Sequence, residues 1–250
     1  MYQSIVDVSS IDVVMIRMGI ATVLPNMSPF AIALALSVFL AGPGQSPKAQ
    51  RYLALGDSYT IGQGVEEADR WPNQLVALLH EKGTDLAKPE IIARTGWTVR
   101  DLSEGIDASQ PRGPYDLVTL LIGVNDQYQG ADLESYRRDF AALLRRAVGF
   151  AGGQAGRVVV LSIPDWSVTP FAERSGRGQA RIAAEIERFN RINQEETARA
   201  GARYVDVTPV SREARADRSL LAPDGLHPAG AMYAAWARLA LPEALKAIQP

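Results

Sequence analysis

The chain has no cysteine among its 250 residues. Disulfides, thiolate nucleophiles and cysteine-bound zinc are therefore excluded, while the redox compartment is left open. Histidine is nearly as scarce, at His80 and His227 alone. Two imidazoles leave little material for a transition-metal centre and confine imidazole proton transfer to two positions. An excess of charge of one sign is also missing: 26 basic and 28 acidic residues give a formal net charge of -2, with no dense Lys/Arg block. A nucleic-acid binder usually shows a basic face, so that class of partner is not expected. Neither a Gly-x-Ser-x-Gly elbow nor a phosphate-cradling Walker loop occurs.

Hydrophobic residues make up 47% of the chain and charged residues 22%, enough for a sizeable core and too apolar for disorder beyond the ends. Residues 1–50 stand apart. The run Phe30 to Ala41, "FAIALALSVFLA", is apolar apart from Ser37 and is followed by helix-breaking "GPGQSPK". Twelve residues are short for a bilayer span but match the hydrophobic part of a secretory signal. Arg17 is the only basic residue ahead of it. The expectation is an N-terminal extension over 1–50 that directs export. The alternative is a cytoplasmic protein whose translation begins at Met15, Met18 or Met27. Without a cysteine after "LAG", a lipoprotein anchor is excluded, and no stable membrane anchor is expected.

From residue 51 to 250 the pattern predicts one domain, with no repeat or linker to divide it. Short β-rich runs, "RYLALG", "PEIIART", "YDLVTLLIG", "RVVVLSIP" and "ARYVDVT", alternate with segments of helical period. Leu117 to Ile122 and Val158 to Ile163 are nearly continuous in apolar residues, as strands covered on both faces are. Leu133, Tyr136, Phe140, Leu143 and Leu144 form one helical stripe, and Ile182, Ile186, Phe189 and Ile192 another. Such alternation predicts βαβ units and a parallel sheet of about five strands between helices. Ligands then bind beyond the carboxyl ends of the strands.

At those ends stand Gly56-Asp57-Ser58, then Gly96, then Gly123-Val124-Asn125-Asp126. "DGLHP", Asp224 to Pro228, precedes the last helical segment. A serine, a histidine with an aspartate three residues earlier, an asparagine and a strand-end glycine are the parts needed for acyl transfer. With "GDS", "TGWT", "GVND" and "DGLHP" in this order, residues 51–250 resemble the SGNH, or GDSL-type, hydrolases, a family of esterases, lipases and lysophospholipases. The resemblance implies a flavodoxin-like three-layer α/β/α sandwich without cofactor or metal. It places the nucleophile on Ser58, the acid and base on Asp224 and His227, and the oxyanion donors on the Ser58 and Gly96 backbones and the Asn125 side chain. The implied ligand is a small acyl ester, with a monomer as the default state.

The chemistry of these residue types agrees. A serine hydroxyl attacks poorly unless a base takes its proton, and the ring of His227 can do so if an aspartate fixes its tautomer. Each residue also has a plainer reading. Gly-Asp-Ser is common turn chemistry; Asp57 suits a bond to the loop backbone, Asn125 a left-handed turn position, and Asp126 a helix N-cap. His227, before Pro228, suits the end of a loop. His80 ends the helical stretch "WPNQLVALLH", where a positive ring suits the dipole, and Trp71 and Trp97 read as packing at the rim. Trp166 and Phe171, in the long connection Pro164 to Gly176, are loop anchors or the border of an acyl pocket.

The leading expectation is a serine carboxylester hydrolase working through an acyl-enzyme. The rivals are an acyl or acetyl transferase using the same residues and a non-catalytic binding module on the same fold. A metallophosphoesterase is disfavoured by the shortage of histidine.

Overall fold

The computed structural model describes residues 49–249. The apolar run 30–41 lies outside the described residues. In chain order the elements are β1 (Tyr52–Gly56), α1 (Ser58–Ile61), α2 (Trp71–Glu81), β2 (Glu90–Ala93), α3 (Val99–Ser109), β3 (Leu117–Leu121), α4 (Val124–Gln129), α5 (Leu133–Phe150), β4 (Val158–Leu161), α6 (Pro170–Arg174), α7 (Gln179–Ala200), β5 (Arg203–Val205), α8 (Thr208–Ser211) and α9 (Gly230–Ile248).

Each of the five β-rich runs supplies one strand, and all neighbouring pairs are parallel in the order β2-β1-β3-β4-β5. This is the flavodoxin-like winding, with a switch point between β1 and β3. Every residue of β1, β3 and β4 is buried, whereas β2 and β5 are partly exposed. That difference follows from position: the inner strands are covered on both faces, and the two outer ones are sheet edges.

Both helical stripes face the core. Tyr136, Phe140, Leu143 and Leu144 of α5, and Ile182, Ile186, Phe189 and Ile192 of α7, are buried. The two helices pack on one another, with Tyr136 and Phe189 rings 4.5 Å apart. On α9, the Trp236 and Tyr233 rings meet edge-on at 5.2 Å, a favoured geometry for their quadrupoles, and this helix packs against α2. Trp71, expected at the rim, is wholly buried in the core. Trp97 is half-buried and covers α3 so closely that a Cβ on Gly105 would stand 2.2 Å from its ring.

The predicted runs overshoot their strands by one to three residues where the backbone leaves the sheet. Gly123 does this with φ of 118°, a left-handed value that glycine tolerates best. A side chain there would also meet the Tyr136 hydroxyl at 2.2 Å.

Candidate active site

Register places the loops. Gly56 ends β1 opposite Ala93 of β2 and Leu121 of β3, so Ser58, Gly96 and Asn125 follow within a few residues of one level of the sheet. Gly56 itself has no room for a side chain: a Cβ would lie 2.1 Å from Thr60 Oγ1 and 2.5 Å from the Leu121 carbonyl oxygen. The chain turns directly into α1. There Asp57 Oδ1 accepts from the Tyr59 N–H at 3.0 Å and caps the helix, and Ser58 is the first helical residue, buried to 5% exposure. Asp57 thus bonds the loop backbone, as its plainer reading had it.

His227 arrives from the far end of the chain. Leu221 and Pro228 form an antiparallel bridge, and the Ala222 N–H donates to the His227 carbonyl at 2.7 Å. The connecting turn uses Gly225 at φ of 68°. Within it, Asp224 Oδ1 accepts from the Leu226 and His227 N–H groups, each at 2.9 Å. Its other oxygen, Oδ2, accepts from His227 Nδ1 at 2.6 Å. The same carboxylate therefore shapes the turn and orients the ring. With Nδ1 donating, Nε2 is left as an acceptor, and it stands 3.0 Å from Ser58 Oγ, within reach for proton transfer.

On the other side of Ser58 stand Gly96 and Asn125. Gly96 has φ of 82° with nothing within 4 Å of the place a Cβ would take, so backbone conformation, not crowding, favours glycine there. Thr98 caps α3 through a reciprocal box with Asp101, which ties down the loop that carries Gly96. Asn125 lies within α4, while the left-handed position belongs to Gly123. Its amide donates to the Trp97 carbonyl at 2.9 Å, which leaves the second amide hydrogen without an acceptor among the described residues. Asp126 is not an N-cap either, because Gly123 holds that place. Its carboxylate reaches across to the Val99 N–H at 3.0 Å and serves the start of α3 instead.

Asp57, Asp126 and Asp224 titrate differently. Burial, assisted by the charge of Asp126, pushes Asp57 up to about 8 against the pull of the Tyr59 N–H, and its Oδ2 is buried without a partner. Burial likewise pushes Asp126 up to about 6. Burial also acts upward on Asp224, but hydrogen bonds from the His227 ring and from the backbone N–H groups of His227 and Leu226 outweigh it and hold the carboxyl below its ordinary value.

Ser58, Gly96, Asn125 and His227 line a single cleft of about 210 Å³. Its remaining walls are mostly apolar: Val124, Tyr128, Trp166, Phe171, Leu226 and the ring of Tyr59 among them. Trp166 and Phe171 thus border the cleft. Tyr59 and Tyr128 are additions that the sequence reading did not single out; the only signal was that each lies within a few residues of a motif. His80 is remote from this place, and its Nε2–H donates to the Leu86 carbonyl at 2.7 Å. Among the described residues no group of three or more His, Asp or Glu side chains is placed to hold a metal ion, and no helix is long and apolar enough to cross a membrane.

Several solved structures share this fold. TesA has 20% sequence identity and a TM-score of 0.59, with 78% of this chain and 97% of that chain covered. A lipase/acylhydrolase from Enterococcus faecalis has 17% identity and a TM-score of 0.61, covering 79% and 95%. A mutant of Axe2, an acetyl-xylooligosaccharide esterase from Geobacillus stearothermophilus, has 19% identity and a TM-score of 0.60, covering 78% and 94%. No curated protein sequence matches the chain. A family model does match it, over residues 54–235. That span begins within β1 and takes in Ser58, Gly96, Asn125 and the Asp224–His227 turn, and by it the chain belongs to the GDSL-like lipase/acylhydrolase family.

Proposed function

We propose that the protein is a serine carboxylester hydrolase that works through an acyl-enzyme on Ser58. The observation that carries this reading is the hydrogen-bonded line from Asp224 Oδ2 through the His227 ring to Ser58 Oγ, at 2.6 and 3.0 Å, opening into an apolar cleft. In the first half-reaction Ser58 Oγ attacks the ester carbonyl as its proton passes to His227 Nε2. The negative charge that forms on the carbonyl oxygen is met by the Ser58 and Gly96 N–H groups and the free Asn125 amide hydrogen. Donors fixed in place before the charge develops are the main source of stabilisation in such a step. As the tetrahedral centre collapses, His227 gives its proton to the departing alkoxide and the alcohol leaves. In the second half-reaction His227 takes a proton from water as that water attacks the acyl-enzyme, and then gives it to Ser58 Oγ as the Oγ–acyl bond breaks, freeing the carboxylic acid and restoring the serine.

Asp224 keeps its charge through this cycle because its hydrogen bonds favour the carboxylate, and that charge steadies the imidazolium. The names of the neighbouring structures, a lipase/acylhydrolase and an acetyl-xylooligosaccharide esterase, also support an ester as the substrate class. Hydrolysis of p-nitrophenyl acyl esters tests the proposal. Activity is expected to survive a chelator and to fall on the order of 10⁶-fold in Ser58→Ala; survival in that variant, or loss with chelator, would overturn it. Export of the chain, suggested by the run 30–41, is a separate proposal: mature protein recovered from outside the cytoplasm should lack that run.

A further inference from the structure

Three of the rings that line the cleft are clustered together. Trp166 lies 5.8 Å from Tyr128 and 5.9 Å from Phe171, and Tyr128 lies 6.4 Å from Phe171. Trp166 and Phe171 come from the connection after β4, whereas Tyr128 comes from α4. The side chain that joins these segments is Gln127, which is buried, as is Trp166. The indole Nε1–H donates to Gln127 Oε1 at 2.9 Å, and Gln127 Nε2 donates to Glu185 Oε2 at 2.7 Å.

An indole can only donate and a carboxylate can only accept. Between two such groups a side chain must accept on one side and donate on the other, and the Gln127 amide does so only in the orientation seen. Glu185, on α7, is itself held by Arg181 at 2.7 Å and Arg177 at 3.2 Å. Arg177 then closes the circuit by donating to the Tyr128 carbonyl and standing 5.1 Å over its ring. The cleft wall is thus tied to α7 through a buried amide, two residues along α4 from Asn125, while Gln179 of α7 holds the neighbouring backbone by donating to the Ser167 carbonyl at 2.9 Å.

We propose that Gln127 is a positioning residue that sets which acyl chains the cleft accepts: by clamping the Trp166 indole between α4 and α7 it fixes the depth of the aromatic wall. This rests on the ester-hydrolase reading above. Gln127 touches no reacting atom, so its effect belongs to the apolar end of the substrate and not to the carbonyl. When the clamp is removed the indole loses its only hydrogen-bond partner, the wall yields, and long chains gain on short ones.

The test uses the full chain with p-nitrophenyl acetate, butyrate and octanoate. Gln127→Leu keeps the bulk of the side chain and removes both hydrogen bonds. Trp166→Phe keeps a six-membered ring in the wall and removes the N–H together with the five-membered ring, so it both frees Gln127 and widens the cleft. In each variant the ratio of kcat/KM for octanoate to that for acetate should rise about tenfold, the scale on which a pocket discriminates one or two methylenes, and in Gln127→Leu kcat for acetate should stay near the parent value. The double variant should show no more than Trp166→Phe alone, since without the indole N–H the amide has nothing to hold. If Gln127→Leu fails to fold, Gln127→Met, which is unbranched and also removes the amide, carries the comparison.

An unchanged ratio in a folded variant would overturn the inference. So would an equal loss on every ester, the mark of a scaffold role shared with Asn125, or additive effects in the double variant. Should the parent protein cleave no ester, the hydrolase reading fails separately, and the clamp is then judged by calorimetric binding of octanoate against acetate. A changed affinity ratio in Gln127→Leu supports it, and an unchanged one sinks it.

Discussion

Ser58 lies between two loops that each bring an aspartate, and the two acids are treated in opposite ways. In the Asp224–His227 turn the carboxylate accepts three hydrogen bonds and is half-exposed. At the β1–α1 junction the Asp57 carboxyl accepts from Tyr59, has one oxygen without a partner and is wholly buried. One is held charged and the other is pushed toward neutrality, although both lie within a few residues of a reacting group. The difference teaches that donors and burial, not proximity to the serine, decide which acid stays ionised and so, under the proposed mechanism, can steady an imidazolium. An acid that must stabilise a passing imidazolium has to be ionised, whereas an N-cap accepts a hydrogen bond in either form.

The largest effect expected from breaking this asymmetry is at the charged member. Asp224→Asn keeps the shape of the turn but offers the ring an amide, and kcat should fall about 10⁴-fold, as expected when a histidine's orienting carboxylate is lost. Steady-state kinetics on a short ester would show it, and a loss under tenfold would mean that His227 is held well enough by its loop alone.

A smaller loss sharpens the contrast by asking whether neutral Asp57 or the Asn125 amide meets the developing oxyanion. If the amide does, Asn125→Ala should cost about 10²–10³ in kcat with little change in KM, while Asp57→Asn leaves kcat close to the parent. The reverse ranking would move the oxyanion site to the β1–α1 loop.

The smallest effect appears in stability and not in turnover. Because the folded state raises Asp57 from 3.8 to about 8, across that window the native protein holds a proton that the unfolded chain has released, so stability falls as pH rises through it. Asp224 acts with the opposite sign: its contribution is present above the ordinary value of 3.8 and is lost as pH falls. Urea denaturation at several pH values should therefore give a shallower decline toward alkaline pH in Asp57→Asn than in the parent. Parallel curves would show that Asp57 is ionised throughout.

Much of the fold was legible from periodicity. The runs that became β1, β3 and β4 are continuous in apolar residues because both faces are covered, and the stripes of α5 and α7 face inward as their spacing requires. Strand limits were less legible, since Gly123 ends its run by adopting a left-handed backbone that neighbouring packing enforces. Trp71 was assigned to the rim because nothing local tells a rim tryptophan from a core one. Asp126 looked like a cap for its own helix, and it serves α3 because the parallel pairing of β2, β1 and β3 brings those two helix starts together. Gln127 carried no signal at all, since a glutamine after Asn-Asp reads as a solvated helix position until Trp166 and Glu185 are placed beside it.

By itself the sequence determined what is local: five strands and their order along the chain, the bond from Asp57 to its own loop, and a turn in which Asp224 and His227, three residues apart, are bound to meet. The tertiary structure alone decided what is not local. Ser58 and His227 are 169 residues apart and meet only because the sheet and the packing of α9 bring both loops to one rim. The opposite titration of two like aspartates, and the clamp on Trp166, likewise depend on which atoms displace water around them, and a residue's neighbours in space are not written in its neighbours along the chain.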